Sequence, residues 1–317
     1  MELVSSSGTI TKHHLSFVCL FVLSLAVFRL PLTILLRVST QDDRYSHVFF
    51  ILLISVCLVY SSRKSIFLKP QFCLSWGVPL LLFGLLLFRA APGFLPSSDQ
   101  NDYLSSAAFS LVCVWVAAFV LSYGPKALGA ARFPLAFLLL MIPIPTTLLD
   151  LTVGALQRAS AEVTHALFRF LPVSVNWLGL GFTLGGSHFE IAKECSGIHS
   201  TLILFVASIL AGHLFLRSMV ARACFSVFAV FIAIVKNAVR IVTIACLTVY
   251  VDGSFYDGWL HRKGGVVFAA FAFAILAPSL LAMRKAERYF RGEHPSSGTE
   301  EEGAGELRTE LLSRGIR

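Results

Sequence analysis

The chain has 317 residues, is 56% hydrophobic and only 14% charged, and its mean hydropathy is +0.77. That balance excludes an ordinary soluble domain and a disordered chain, and it fits a protein whose solvent is largely lipid. The formal charge of +8 does not point to nucleic acid, because the basic residues cluster between apolar runs, where membrane topology explains them.

Eight apolar runs near 15–36, 46–61, 74–90, 104–123, 133–149, 196–216, 223–249 and 264–283 predict about eight transmembrane helices. The expected fold class is an all-α polytopic membrane protein with an external amphipathic helix and a short β-hairpin. Lys12, His13 and His14 precede the first run, which lacks a small-residue cleavage site and reads as a retained signal-anchor helix. Basic residues fall in alternate loops: Arg63, Lys64 and Lys69, then Lys126 and Arg132, then Arg217 and Arg222, then Arg284, Lys285, Arg288 and Arg291. This assigns those loops, and both termini, to the cytoplasmic side.

The chain is expected to divide into a cytoplasmic N-terminus (1–14), one transmembrane domain (15–285, with an external segment at about 150–195) and a disordered cytoplasmic tail (286–317). In the external segment, Arg158, Glu162, His165 and Arg169 line one helical face, with Leu156, Val163, Leu167 and Phe170 largely away from it. Met141-Ile-Pro-Ile-Pro145 should break the helix before it. Leu180, Phe182 and Leu184 alternate, Gly185-Gly186-Ser187 follow, and Phe189 and Ile191 alternate again, which predicts a hairpin. The hairpin delivers the chain to Cys195.

Seven cysteines are scattered with no CxxC pair, and most lie in apolar stretches. Cys195 differs in having polar neighbours at the outer start of a helix, where orphan N–H groups favour a thiolate. Lys236, Asn237 and Arg240 interrupt an apolar run on one flank. A mid-membrane charge costs roughly 2.5–3.5 kcal/mol on insertion scales, so such groups face a cavity or a partner, or bridge helices. His261 lies at the outer start of the last helix, where an imidazole can shuttle protons or sit in an interfacial belt beside Trp259. Cys195, Arg240 and His261 come from different helices, with Arg240 roughly 15 Å below the outer end of its own. Together they form a cysteine transpeptidase set of thiolate, oxyanion-stabilising guanidinium and proton shuttle. His47, at the outer end of the second helix, and His188, in the hairpin, are further candidates for substrate contact. No HExxH, P-loop or paired-Asp motif is present, so no metal or cofactor is expected.

Phe189-Glu-Ile-Ala-Lys-Glu-Cys195-Ser-Gly-Ile198, Asn237-Ala-Val-Arg240-Ile241 and His261 followed by Gly264-Gly265 resemble the three signature blocks of the exosortase/archaeosortase family. Arg44-Tyr-Ser-His47, with Leu53-Ile-Ser55 after it, and Met141 to Pro145 resemble two more, and the likeness runs in order from about 40 to 283. The resemblance implies a membrane cysteine protease or transpeptidase of the bacterial exosortase type, in the cytoplasmic (inner) membrane with its chemistry on the outer side. It further implies Cys195 as nucleophile, Arg240 as oxyanion or substrate arginine and His261 as acid/base, with His47, Glu190, Asn237 and His199 as substrate-binding candidates. His199 stands where many members have Arg. The implied partners are exported proteins ending in a short motif such as Pro-Glu-Pro, a transmembrane helix and a basic end, together with an amine or lipid acceptor, or water, and membrane lipids. A transporter with Lys236, Asn237 and Arg240 in its pathway, or a non-catalytic envelope or exopolysaccharide assembly factor, is the competing reading.

Overall fold

The computed structural model describes residues 2–41, 45–94, 99–255 and 265–291. These fold as helices α1 (Glu2–Val27), α2 (Arg29–Gln41), α3 (His47–Ser61), α4 (Arg63–Ile66), α5 (Leu74–Phe94), α6 (Gln100–Ala130), α7 (Arg132–Phe137), α8 (Thr146–Phe168), α9 (Ile198–Phe215), α10 (Met219–Tyr250) and α11 (Gly265–Phe290), with one small sheet between α8 and α9. The architecture is an all-α polytopic membrane fold. The chain divides into two compact units. One comprises Met1–Glu162, Asn176–Thr183 and His188–His199; the other comprises Val163–Val175, Leu184–Ser187 and Ser200–Arg317.

The apolar runs expected as eight spans form helices of different lengths among the described residues. Among the described residues, four helices (α6, α9, α10 and the Val267–Phe290 stretch of α11) are long and apolar enough to cross a membrane, or up to six if each of two bent pairs is one span. The stretches His47–Ser61 and Leu74–Ala90 are apolar but shorter. The first bent pair splits the run at 15–36, which the sequence reads as one helix, by 76° between α1 and α2. Pro31 explains the break: it has no N–H to donate to Val27, and its ring crowds that carbonyl. The second pair turns by 86° between Arg132–Met141 and α8, at the predicted break Pro143-Ile-Pro145.

In the first unit α6 is the central element, packed by α1, α2, α4 and α5. Its small residues Ser105, Ala107, Ala108, Ser110, Ala117, Ala118 and Ser122 are buried, and small side chains let helix backbones approach closely without a hydrophobic drive. The approach of α5 is closest at two glycines seven residues apart. A Cβ at Gly77 would stand 2.3 Å from Leu121 Cγ, and one at Gly84 would stand 2.9 Å from Val114 Cγ2. The C-terminal part of α6 is kinked at Gly124-Pro125. Pro125 leaves the Leu121 carbonyl without its helical donor, and in a membrane such a group must find another. Cys73 N–H supplies it at 3.1 Å, and Gln71 N–H donates to Tyr123 O at 3.3 Å. The Trp115 indole N–H donates to Ser24 Oγ on α1 at 2.9 Å, and buried His13 bonds Ser122 O through Nδ1 at 2.6 Å.

In the second unit α10 packs on α11. Phe225, Ala229, Ile232 and Ala233 recur at helical spacing on α10 and meet Leu204, Leu216, Ala272 and Leu276 in one buried cluster. Ser218 caps the start of α10 by accepting from Ala221 N. α11 continues to Phe290, past the expected tail boundary at 285. Residues 284–290 hold no Gly or Pro, so nothing local stops the helix there. The remainder of the expected tail lies outside the described residues.

Candidate functional site

The route to Cys195 begins on α8. Its buried positions Val153, Leu156, Gln157, Ser160, Ala161, Thr164 and Phe168 follow a helical repeat, while Arg158, Glu162 and Arg169 are exposed, His165 is half-buried, and Val163 and Leu167 are partly buried. The predicted amphipathic helix is present, but it opens at Thr146. Phe170, expected on the apolar side, is 86% exposed because α8 ends at Phe168.

The predicted hairpin is formed by β2 (Gly181–Leu184) and β3 (Ser187–Glu190). Gly185 and Gly186 both have positive φ, 57° and 83°, as a tight two-residue turn of the primed kind needs. A further strand, β1 (Val175–Leu178), completes a sheet of order β1-β2-β3. Phe182 packs between Trp177 and Phe189, with ring centroids 5.0 Å and 5.3 Å away. Phe182, Leu184, Phe189 and Ile191 are all buried. The sheet exit is clamped to α8, where Gln157 Nε2 donates to Ile191 O. The chain therefore arrives at residue 192 from a fixed direction.

Lys193–Ser196 then forms a single 3-10 turn. Ala192 is extended and its carbonyl accepts from Cys195 N at 2.9 Å. Gly197 ends the turn in the left-handed region (φ 74°, ψ 17°), which a residue with a Cβ enters only at a cost. α9 begins at Ile198. Cys195 thus stands just before the helix, as its position in the sequence predicts, on a turn of its own. Its thiol is partly exposed. Ser196 is 1% exposed, and its Oγ and the Nδ1 of His199 are buried without a hydrogen-bond partner among the described residues. Such groups are costly unless something completes them. Lys193 makes an exposed 3.8 Å pair with Asp150.

Of the candidate residues, His47, Glu190, Cys195 and His199 belong to the first unit, and Asn237 and Arg240 belong to the second. His47 is partly buried at the first position of α3, Glu190 is exposed at the end of β3, and His188 is exposed on β3. On α10, Lys236 and Asn237 are both 2% exposed, and Arg240 is partly buried. The Lys236 ammonium donates to Ser200 Oγ on α9, so this charge bridges two helices. His261 and Arg262 lie outside the described residues.

The structure adds Asn101, which the sequence reading passes over. Its side chain accepts from Tyr45 OH at 2.6 Å and donates to Ile144 O at 2.8 Å and Thr146 Oγ1 at 3.1 Å. Next to it, Asp102 accepts from Thr146 N at 2.6 Å. Asp99 caps α6, and its carboxyl is held below the usual range first by the Thr146 hydroxyl, then by the N–H groups of Asp102 and Asn101, against the opposing pull of desolvation. The blocks around Tyr45 and around Pro143–Pro145, nearly a hundred residues apart, are thereby fastened to the start of α6. The signal was legible as Asp99-Gln-Asn-Asp102, a polar run opening an apolar one. Asn101→Leu is expected to lower stability by about 1–3 kcal/mol, because it removes the acceptor of the Tyr45 hydroxyl and the donor to the Ile144 carbonyl. Thermal melting of the detergent-solubilised protein measures this, and an unchanged melting curve would show that the two groups find water instead.

The model of the family described as transmembrane exosortase (Exosortase_EpsH) matches residues 38–278. That stretch contains Tyr45, His47, Asn101, the Pro143–Pro145 break, the sheet, Cys195, Arg240 and His261. No curated protein matches the chain, and no solved structure does. With most of its length and the path from α3 into α11 inside the match, this chain belongs to the transmembrane exosortase family, the multi-pass membrane enzymes that act on exported proteins with C-terminal sorting signals.

Proposed function

We propose that this protein is a cysteine transpeptidase that cleaves C-terminal sorting signals of the Pro-Glu-Pro type on the outer side of the cytoplasmic membrane. In this reading the Cys195 thiolate attacks the carbonyl of the scissile peptide, and Arg240 stabilises the oxyanion that develops. His261 hands a proton to the departing amine as the C–N bond breaks, leaving a thioester on Cys195. An amine or lipid acceptor, or water, then attacks the thioester, gives its proton to His261 and frees the thiol. His47, Glu190, His199 and Asn237 bind the signal.

The observation that carries the reading is the family match over 38–278, which encloses every residue assigned a role. Local geometry supports it. Cys195 is partly exposed on a 3-10 turn, and the unpartnered Ser196 Oγ and His199 Nδ1 are one and four residues along the chain from it. Polar atoms of that kind are suited to a peptide backbone that arrives with its own donors and acceptors. A substrate carrying its own transmembrane helix can reach such a site laterally, through the bilayer.

The test is co-expression with an exported protein that ends in the tripartite tail, followed by intact-mass measurement. The expected product lacks the helix and basic end, and its C-terminus is a free acid or carries the mass of an acceptor. A substrate recovered at full length, with both proteins in the same membrane, would defeat the proposal.

A further inference from the structure

The C-terminal end of α9, the link Leu216–Ser218 and the last turns of α11 enclose a cavity of about 250 Å³. Arg217, Arg222, Arg284, Arg288 and Arg291 line it, with one carboxylate, Glu287. Both oxygens of that carboxylate are engaged with backbone: one accepts from Ser218 N at 2.8 Å and the other from Arg217 N at 3.0 Å. Glu287 thus serves the orphan N–H groups at the entry to α10. It cannot neutralise five guanidinium groups.

Two of those groups are held in place. Arg222 Nε donates to Leu216 O at 2.9 Å, and the Arg284 guanidinium lies over the Phe215 ring, 5.8 Å from its centroid. Like charges gathered around one cavity repel each other, and an anion among them relieves the repulsion. Planar guanidinium forks match the oxygens of phosphate better than they match a compact halide.

The surroundings narrow the class further. The cavity lies at the ends of three helices of membrane length, the level at which lipid headgroups sit. Leu214, Met219, Val220, Tyr289 and Phe290 around it are exposed, so apolar surface continues from the basic cavity along the helix ends. The volume suits a headgroup; acyl chains would lie outside, on that apolar surface. We propose that this cavity binds the phosphate headgroup of an anionic phospholipid, with Arg222, Arg284 and Arg288 as its principal ligands.

The full-length protein in nanodiscs of equal phosphatidylglycerol and phosphatidylcholine provides the test, with lipids retained after release counted by native mass spectrometry. The wild type is expected to retain phosphatidylglycerol in preference to phosphatidylcholine. The ratio should fall by about fivefold for each arginine removed in Arg222→Gln and Arg284→Gln. It should be unchanged in Arg63→Gln/Lys64→Gln, whose charges lie on α4, and unchanged by millimolar inorganic phosphate. Equal retention of the two lipids by the wild type would overturn the proposal without reference to any variant's folding. An equal loss in the α4 variant would reduce the effect to general surface charge, and displacement by inorganic phosphate would make the cavity a site for free phosphate; either result overturns the lipid assignment.

Discussion

Cys195→Ala protein is expected to reach the membrane in normal amounts and to leave a tripartite-tail substrate uncleaved, with the rate of processing down on the order of 10⁴-fold or more. The two halves of that expectation rest on different observations. Normal folding follows from the position of Cys195: its backbone N–H bonds Ala192 O, and its side chain is only partly buried. Alanine keeps the backbone bond, and the 3-10 turn is ended by Gly197 rather than by the thiol. Loss of activity follows from the chemistry, since no neighbouring group can form the thioester in its place: Ser196 Oγ is an unionised hydroxyl and is buried. Cys195→Ser should also be slow, because a hydroxyl is a poor nucleophile without a strong base. Hydroxylamine added during turnover should release a hydroxamate from the wild-type thioester and nothing from Cys195→Ala. Wild-type processing by Cys195→Ala would remove the nucleophile from the proposed mechanism.

Periodicity and breakers made much of this fold legible in the sequence. Most of the apolar runs coincide with helices, Pro143 and Pro145 mark a sharp bend, and Gly185-Gly186 makes the turn that they spell out. These are signals within a few residues of their effect. What escaped the sequence depends on groups far apart along it. Asn101 reads as one polar residue among several until Tyr45 and Ile144 are seen bonded to it. The carbonyl freed by Pro125 is predictable, but the donor that answers it, Cys73 N–H, is not. β1 escaped for another reason: at four residues it is too short for an alternating pattern to stand out. Pro31 was visible in the sequence, but the 76° angle at which α1 and α2 meet was not.

The same limit shaped the reading of the polar triplet on α10, and a second mutational comparison separates its members. Sequence spacing puts Lys236, Asn237 and Arg240 on one flank, without saying which serve structure and which serve chemistry. Lys236 is 2% exposed and is tied to Ser200 on the neighbouring helix, the arrangement of a buried bridge. Arg240 is one turn further on and less buried. In the proposed mechanism Arg240→Gln is therefore expected to lower the rate constant for cleavage by about 10²–10³-fold, the usual consequence of removing an oxyanion donor. The protein should remain folded, because glutamine keeps a polar group at that position. Arg240→Lys should recover little, since a single ammonium cannot reproduce the fork of the guanidinium. Lys236→Met is expected to behave differently. Replacing a buried charge with an apolar chain of similar length is often neutral or stabilising, so turnover should persist while the melting temperature changes. Single-turnover cleavage and thermal melting on the same preparations give both readouts. Equal losses of turnover in Arg240→Gln and Lys236→Met would mean that the flank acts as one structural unit, and the guanidinium would lose its separate role in the chemistry.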